Sequence, residues 1–397
     1  EESIVSAKVK KARNKVANCK YGYNKEYDMV IISKNGTLGE IFNINGLKVG
    51  LPAQPKHEEI LNHNITKSNQ LWMREDNLPE GLTIETQNQS RYTEYIDEQF
   101  RKREEGAWVY LNGDANYMTG TYYYGIQWIR EEVEHPSFRI IQNELMIFWE
   151  ACKADDRSYG MQYVKNRRMG ASSLGVAELL DSSTIYESKI LGIISKTGED
   201  ASDIFNRVVT SFKRLPCFFQ PEHDGNTAPK KELLFQEPSR KKKQGETNKA
   251  STGLGTSLKW YSTAINAMDG RRIFRSLLDE GGKWEKKVNF EKYWNIVKTS
   301  HRKGRIIFGK CFMVSTLNDP EDGGQQYRNI WDKSDPLERD GNGQTGSGLY
   351  RLFIPAKFCL EGFFDIYGFS ITLDPEEGEI LTDDNTYVDK GSISHLK

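Results

Sequence analysis

The amino-acid sequence predicts an α/β fold in which helices cover both faces of a mainly parallel central sheet. Three observations lead to this prediction. From Pro136 onward, short apolar segments alternate with segments of helical periodicity over roughly 200 residues. A basic, glycine-containing loop lies between one apolar segment and a helical one, and another apolar segment ends in two carboxylates. Alternation of this length is typical of parallel sheets, because parallel neighbours need a crossover connection.

The length and composition are those of a globular protein. At 397 residues the chain is long enough for two or three domains and a sizeable core. Its 37% hydrophobic and 28% charged residues are typical of soluble proteins and unlike those of disordered chains. The longest apolar runs, such as Leu145–Trp149, are too short to cross a bilayer, so we expect no membrane partner.

The spacing of the cysteines and the distribution of charge limit the possible functions further. Five cysteines stand singly, without the Cys or His spacing of a zinc site, which favours a reducing cytoplasm over a disulfide framework. They are Cys19, Cys152, Cys217, Cys311 and Cys359. The net charge of −1 gives no overall attraction to nucleic acid. Basic residues are nevertheless concentrated at Lys8–Lys15 and Arg240–Lys243, which are either solvated segments or nucleic-acid contacts.

Residues 1 to about 90 are predicted to form an accessory region. Strands are expected at Met29–Ile32 and Ile41–Val49, with tight turns at Asn35-Gly36 and Asn45-Gly46. An aromatic segment follows at Trp108–Arg130, which we interpret as short strands and a turn. Its rings either pack in the core or form the wall of a site for a flat ligand such as a purine.

The second part of the chain supplies the elements of the sheet. The predicted strands are Met161–Val164, Ile190–Ser195, Ile273–Leu278, Ile306–Ser315 and Leu349–Ile354. The predicted helices are Phe138–Lys153, Ser173–Leu180, Glu199–Leu215 and Phe290–His301. Residues 221–257 are polar and rich in Lys, Glu, Gly and Asn, so we expect a mobile insertion there.

A candidate phosphate-binding loop connects the strand at 161–164 to the helix that follows it. The loop consists of Lys165, Asn166, Arg167, Arg168, Met169, Gly170, Ala171, Ser172 and Ser173. Phosphate binding needs backbone N–H groups at a helix N-terminus, a cation, and a hydroxyl that can ligate Mg²⁺. Gly170 permits close approach of the backbone, and Ser172 supplies the hydroxyl.

This loop departs from the usual Gly-x4-Gly-Lys-Ser/Thr spacing at two positions. Lys165 stands at the first glycine position and Ala171 stands at the lysine position. A lysine at the start of the loop could still reach the β- and γ-phosphates, with Arg167 or Arg168 adding positive charge. The sequence leaves open which of these three cations contacts the γ-phosphate.

A predicted strand at 273–278 runs into Asp279 and Glu280. Strands of a parallel sheet present the residues after their carboxyl ends to the edge where ligands bind. Asp279 is a candidate to hold Mg²⁺ through water, and Glu280 to orient and deprotonate an attacking water. A third apolar strand ends in Ser315 and Thr316, followed by Asn318; these residues are either functional or simply lead into a turn.

Together, and in this order, the three motifs resemble those of the large terminase subunit of tailed double-stranded DNA phages. The loop matches the family's Lys-x-x-Arg-x-Gly-x-Ser pattern, in which the catalytic lysine is displaced. The other two motifs are Leu277-Leu278-Asp279-Glu280 and Val314-Ser315-Thr316-Leu317-Asn318. Softer similarities occur at Trp108–Gly120, Pro136–Gln142, Asn266–Arg272 and Phe353–Ala356, so that the resemblance covers roughly residues 95–368.

The resemblance implies an additional-strand P-loop ATPase that uses ATP and Mg²⁺ to pump double-stranded DNA. It implies a ring, usually a pentamer, docked on the portal protein of an empty capsid, with the small terminase subunit as a further partner. It places the protein in the host cytoplasm during virion assembly and not in the mature virion. In this reading Lys165, Arg168 and Glu280 are catalytic, and Ser315, Thr316 and Asn318 couple hydrolysis to movement.

The resemblance also divides the chain. Residues 1–90 would be the accessory region, 91–356 the ATPase domain, and 357–397 a linker towards an RNase H-like nuclease that is absent here. The acidic residues near the end could suggest a metal site, although a linker is the interpretation we favour. These residues are Asp374, Glu376, Glu377, Asp383 and Asp384. We therefore expect no nuclease activity.

Two further roles are implied by the family. A neighbouring subunit is expected to supply an arginine to each site, although an exposed, solvated arginine is the alternative for every candidate. The candidates are Arg207, Arg214, Arg271 and Arg272. Gln142, just upstream of the loop, is a candidate to read the adenine edge, or else a surface glutamine.

The leading hypothesis is therefore an ATP-hydrolysing DNA translocase. A helicase-type ATPase would need a second RecA-like domain, for which too little chain remains. The alternative is a protein that is not an enzyme: a scaffold that docks DNA or a capsid protein, with a phosphate loop that has decayed at Ala171.

Overall fold

The computed structural model describes residues 6–9, 19–75, 77–131, 136–226, 228–236, 253–284, 288–322, 324–376 and 378–396. Most of the basic N-terminal run, all of Arg240–Lys243 and Glu377 lie outside these residues. The roles predicted for them from the sequence stay predictions.

The N-terminal region forms a five-stranded mixed sheet in the order β1-β4-β5-β3-β2. Its strands are β1 (Ser6–Val9), β2 (Gly22–Asn24), β3 (Met29–Ile31), β4 (Ile41–Ile44) and β5 (Leu47–Gly50). Between β4 and β5, Asn45 and Gly46 have φ values of 49° and 84°. Two successive positive φ values are those of the hairpin turn that Asn-Gly favours, which confirms the predicted turn.

A helix, a hairpin and two further helices lead to the central sheet. They are α1 (Ser90–Glu105), β6 (Ala107–Leu111), β7 (Asp114–Met118), α2 (Gly120–Trp128) and α3 (Ile140–Ala154). The prediction of strands and a turn was correct for β6 and β7 but wrong for α2. The hydroxyl of Thr119 caps this helix by accepting the N–H of Tyr122 at 3.3 Å. Every residue of α2 is buried, so it lacks the polar face that would have revealed its helical period.

The aromatic side chains of α2 pack in the core. Tyr122 contacts Phe138, and both Tyr124 and Trp128 contact Phe219, with ring centroids 5.5–5.9 Å apart. These edge-on and tilted contacts are those of a packed aromatic cluster. Of the two interpretations of this segment, the structure supports the packing one.

The central sheet has seven strands in the order β10-β11-β9-β12-β15-β8-β16. They are β8 (Gly160–Val164), β9 (Ile190–Ile194), β10 (Glu232–Phe235), β11 (Thr256–Trp260), β12 (Ile273–Asp279), β15 (Lys310–Ser315) and β16 (Tyr350–Phe353). All neighbouring pairs are parallel except β10 with β11. Because β15 lies between β8 and β12, the sheet has the additional strand of the predicted P-loop fold.

Helices cover both faces of this sheet, as predicted. They are α4 (Ala171–Ile185), α5 (Gly198–Arg214), α6 (Phe290–Val297) and α7 (Gly324–Asp332), followed by the short α8 (Ser392–His395). Helices α3, α4 and α5 pack on one face, and α6 and α7 belong to the cluster on the other. Successive strand residues alternate between the two clusters, so that Leu277 packs in the first and Leu278 in the second.

Two sequence predictions about strands need correction. Residues 221–257 are not simply an insertion, because β10 and the start of β11 lie within them and extend the sheet. Ile306–Ser315 is not a single strand: β14 (Ile306–Ile307) pairs with β13 (Arg302–Lys303) in a small hairpin before β15 begins. In both cases the apolar run is only two or three residues long and lies between polar residues, so the strand is hard to recognise from the sequence.

The residues after Pro355 fold back on the rest of the chain. They include the short strands β17 (Ile380–Leu381) and β18 (Tyr387–Val388), and Asp383 pairs with Arg139 at 2.9 Å. Asp374 accepts hydrogen bonds from the backbone of Gly391 and from Ser394. Within the described residues, no group of three acidic, His or Cys side chains is arranged to hold a metal. The assignment of this segment as a linker stays a prediction.

Two further observations concern the described residues as a set. No helix among them combines the length and the apolar character needed to span a bilayer. The five cysteines are free thiols.

A buried cluster of charges joins the helices of one face to the sheet. The Glu178 carboxylate on α4 accepts hydrogen bonds from Arg275 of β12 and Lys153 of α3, both at 2.9 Å, and from Trp149 at 2.8 Å. Burial by itself would raise the pKa of Glu178, but Lys153 and Arg275 outweigh it and lower the pKa. The carboxylate therefore stays ionised and holds α4 in place against β12.

Replacement of Glu178 by alanine should be strongly destabilising, because it leaves the buried Arg275 without its carboxylate partner and removes one of the two carboxylates that pair with Lys153. We expect Glu178→Ala to lower the free energy of unfolding by about 3–5 kcal/mol in urea denaturation. Glu187→Ala, at an exposed position just after α4, is the control and should change it by less than about 0.5 kcal/mol. Equal effects of the two variants would contradict the assigned role.

Candidate nucleotide-binding site

The loop at 165–173 begins where β8 ends. The backbone N–H of Lys165 donates to the carbonyl of Ser315 at 2.9 Å, which ties the loop to β15. Arg168 and Gly170 have φ values of 61° and 82°, so the chain turns sharply before α4 starts at Ala171. The N-terminus of α4, with its unpaired N–H groups, therefore faces the carboxyl edge of the sheet, as phosphate binding requires.

Four side chains predicted from separate motifs meet at this edge. The Nζ atom of Lys165 lies 3.2 Å from Ser172 Oγ, 3.2 Å from Asp279 Oδ1 and 3.2 Å from Glu280 Oε1. Ser172 Oγ also donates to Asp279 Oδ1 at 3.0 Å. Lys165 and Asp279 are 114 positions apart in the chain, and parallel strands bring them together.

The chemistry of two of these groups fits a magnesium ion. A hydroxyl (Ser172) and a carboxylate (Asp279) offer the hard oxygen ligands that Mg²⁺ prefers. The other oxygen of Asp279 accepts a hydrogen bond from Ser195, at 3.2 Å. Sequence reasoning missed Ser195, although its position at the end of a predicted strand was a usable signal.

Glu280 is held on both of its oxygens. Oε1 faces Lys165, while Oε2 accepts from Thr316 Oγ1 at 3.0 Å and pairs with Lys283 Nζ at 3.1 Å. Burial would raise the pKa of Glu280, but the two ammonium groups prevail and lower it. The carboxylate is therefore ionised at neutral pH, as a proton acceptor must be. Lys283 carried no motif and was not found from sequence.

The three candidate coupling residues contact the segment that follows Asp279. Ser315 Oγ accepts the N–H of Gly282 at 3.0 Å, and Asn318 Nδ2 donates to the carbonyl of Gly282 at 3.2 Å. Thr316 contacts Glu280 as described. The end of β15 is thereby bound to the turn that carries the two carboxylates, although the structure does not test its role in movement.

The remaining loop residues lie further from the carboxylates. Arg167 and Arg168 are exposed, and Arg168 pairs with Glu361 at 3.1 Å. The amide of Asn166 donates to the Cys359 sulfur at 3.0 Å. Met169 and Ala171 are buried. Of the three cations in the loop, Lys165 is the one placed at the hydroxyl and carboxylates.

Gln142 lies against the loop. Its Nε2 atom donates to the carbonyl of Met169 at 2.9 Å, and a Cβ atom at position 170 would come within 2.6 Å of it. The φ of 82° favours glycine at 170, and a larger residue there would also displace this amide. In this arrangement Gln142 stabilises the loop through its hydrogen bond to Met169. Its role in adenine recognition stays a prediction.

The four arginine candidates fall into two groups. Arg207 contacts Ser173 of the loop at 2.6 Å, and Arg214, on the same helix, donates to the carbonyl of Arg130 at 3.3 Å. Arg271 and Arg272 precede β12 and therefore lie at the opposite end of that strand from Asp279. Seven residues of strand separate them from this chain's own site by about 20 Å.

The salt bridge between Lys283 and Glu280 gives a pH prediction. Lys283→Met removes one of the charges that lower the pKa of Glu280, so this pKa should rise. If Glu280 acts as the proton acceptor of a hydrolysis reaction, for which it must be ionised, the acid limb of kcat/KM should move to higher pH. Lys292→Met, at an exposed position on α6, is the charge-matched control and should leave the profile in place. An unshifted acid limb in Lys283→Met would contradict this assignment.

Comparison with known proteins gives the following. No protein-family model and no curated sequence matches this chain. Among solved structures, the chain is similar to the large-terminase ATPase domain of Thermus phage P74-26, with 15% identity, a TM-score of 0.33, and coverage of 48% of this chain and 74% of that one. For the R139A mutant of that domain the identity is 16% and the TM-score is 0.35, with coverage of 49% of this chain and 76% of that one. For the large terminase of bacteriophage HK97 the identity is 12% and the TM-score is 0.39, with coverage of 66% of this chain and 45% of that one. The likeness concerns the fold, so the chemistry proposed next rests on this chain's own contacts.

Proposed function

We propose that the chain is an ATP-hydrolysing motor domain that moves double-stranded viral DNA into a preformed capsid. The observation that carries the proposal is the convergence of Lys165, Ser172, Asp279 and Glu280 within hydrogen-bonding distance at one sheet edge. Each residue type has a distinct task in phosphoryl transfer, and the four come from two motifs far apart in sequence.

The binding step uses the first turn of α4 and Lys165. The N–H groups at the helix N-terminus would hold phosphate oxygens, with Gly170 allowing close approach. Lys165 would exchange its carboxylate partners for β- and γ-phosphate oxygens, which are equally good acceptors for an ammonium group. Ser172 and Asp279 would hold Mg²⁺, which neutralises charge on the phosphates when bound.

The hydrolysis step uses Glu280. Once Lys165 turns towards phosphate, Glu280 Oε1 is released to accept a proton from the attacking water. Its other oxygen stays held by Thr316 and Lys283, which fix the orientation of the carboxylate. A change in contacts at Glu280 would thereby reach β15 through Thr316, which is the physical basis for a coupling role.

The decayed-loop alternative depends on Ala171 at the usual lysine position. In the structure Ala171 is buried in the first turn of α4. Lys165 instead delivers its ammonium group to the Ser172 hydroxyl from the start of the loop. This arrangement supports a relocated lysine over a lost one.

The remaining assignments are also proposals. The partners would be double-stranded DNA, the portal protein, the small terminase subunit and further copies of the chain in a ring. One copy would supply an arginine to the site of the next. Of the four candidates, Arg214, Arg271 and Arg272 remain, because Arg207 contacts Ser173 of its own chain. The work would take place in the host cytoplasm during assembly.

Phosphate release on addition of ATP and Mg²⁺ tests the enzyme proposal. Lys165→Ala and Glu280→Gln should each reduce kcat by about 10²–10⁴-fold, since each removes a group that acts on the transition state. Glu280→Gln should still bind ATP, whereas Lys165→Ala should bind it weakly. Glu338→Gln, at an exposed carboxylate far from the site in sequence, is the matched control. Undiminished hydrolysis in both site variants would contradict the proposed site, whereas a wild type that neither binds nor hydrolyses ATP would favour the scaffold.

The DNA proposal has its own test. Contacts to DNA by a translocase should be mainly to phosphates, so duplex binding should weaken steeply with salt and be insensitive to sequence. Fluorescence anisotropy with two unrelated duplexes of equal length, measured over a range of salt concentrations, checks this. A strong preference for one duplex, or affinity independent of salt, would contradict non-specific translocation.

A further inference from the structure

Arg207, on α5, lies beside the first turn of α4. Its NH2 atom is 2.6 Å from Ser173 Oγ, and its guanidinium pairs with the carboxylate of Glu131. The side chain is 33% exposed, whereas that of Glu131 is 14% exposed. The cation is thus held next to the phosphate loop of its own chain while part of it remains open to solvent.

The two serines at the end of the loop point to different partners. Ser172 and Ser173 are successive residues of α4, so their side chains diverge by about 100° around the helix axis. Ser172 faces Asp279 at 3.0 Å, and Ser173 faces Arg207. The helix N-terminus that would hold phosphate is therefore flanked by the carboxylates on one side and by Arg207 on the other.

Glu131 occupies the acceptor side of Arg207. Its Oε2 atom accepts hydrogen bonds from both the guanidinium and Ser173 Oγ, the latter at 3.3 Å. A phosphate oxygen offers a guanidinium the same kind of charged acceptor as this carboxylate oxygen does. Glu131 therefore stands where a phosphate group would serve as the partner of Arg207.

We propose that Arg207 binds the nucleotide in cis, exchanging Glu131 for oxygens of the α- and β-phosphates. The inference rests on the proposed function. Lys165, Asp279 and Glu280 cluster on the Ser172 side, which is the side for the metal and the γ-phosphate. The Ser173 side, where Arg207 lies, is left for the part of the phosphate chain nearer the ribose. Arg207 then serves its own subunit and does not act as the arginine supplied to a neighbour.

Calorimetric titration of ADP, without Mg²⁺, tests this directly. The protein is the full chain, at a concentration where it sediments as a monomer, because an arginine acting in trans cannot contribute there. Arg207→Gln should weaken ADP binding by about tenfold or more, as expected for a lost charge-assisted hydrogen bond. Lys213→Gln, which removes an exposed positive charge from the same helix, should leave the affinity unchanged.

Two further variants keep the result unambiguous. Glu131→Gln should bind ADP at least as tightly as the wild type, because the competing carboxylate is gone. The double variant Arg207→Gln with Glu131→Gln preserves the charge balance if Arg207→Gln alone misfolds, and it should show the same loss of ADP affinity.

The outcomes separate the two proposals. If the wild type binds ADP and the double variant binds it equally well, Arg207 is only a structural partner of Glu131 and this inference is overturned. If the wild type binds neither ATP nor ADP, the nucleotide-binding function itself fails and the inference falls with it. A selective loss in the Arg207 variants supports both.

Discussion

The contact of the Lys165 ammonium group with the carboxylates of Asp279 and Glu280 is the interaction on which the candidate site depends. It joins the end of β8 to the end of β12 across the intervening β15, at distances of 3.2 Å. Two neighbouring carboxylates repel each other, and the ammonium group compensates that repulsion in the ligand-free protein. Under the proposed function, this ammonium group would turn to phosphate oxygens, and a nucleotide would replace one set of oxygen partners by another.

The surrounding fold keeps these groups in register. Arg275 and Asp279 lie on the same face of β12, four residues apart, and both meet α4: Arg275 through Glu178 and Asp279 through Ser172. A buried ion pair thus sets the position of the helix, and the candidate site at Ser172 lies less than two helical turns from Glu178, towards the helix N-terminus. Such a pair is costly to break, which gives the site a rigid frame.

The sequence anticipated the elements with clear periodicity and missed those without it. Strands β8, β9 and β12 and helices α3 and α5 were predicted to within two residues at each end, because each shows an apolar run or an amphipathic pattern. Helix α4 continues five residues beyond its predicted end at Leu180. Helix α2 was missed, since a fully buried helix carries no polar face, and β10 was missed because its strand lies in a polar segment. Ser195 and Lys283 likewise belong to no motif and reach the site only through the fold.

By itself, the sequence determined which chemical groups are available: a lysine at the start of a glycine-containing loop, a hydroxyl at Ser172 and paired carboxylates at 279–280. The alternation of strands and helices along the chain also determined that the loop and the paired carboxylates each follow a strand of the same sheet. Only the tertiary structure decided between the three cations, because the orientation of a side chain depends on neighbours distant in sequence. It placed Lys165 at the carboxylates, left Arg167 and Arg168 exposed, and brought Arg207 to the loop from another helix.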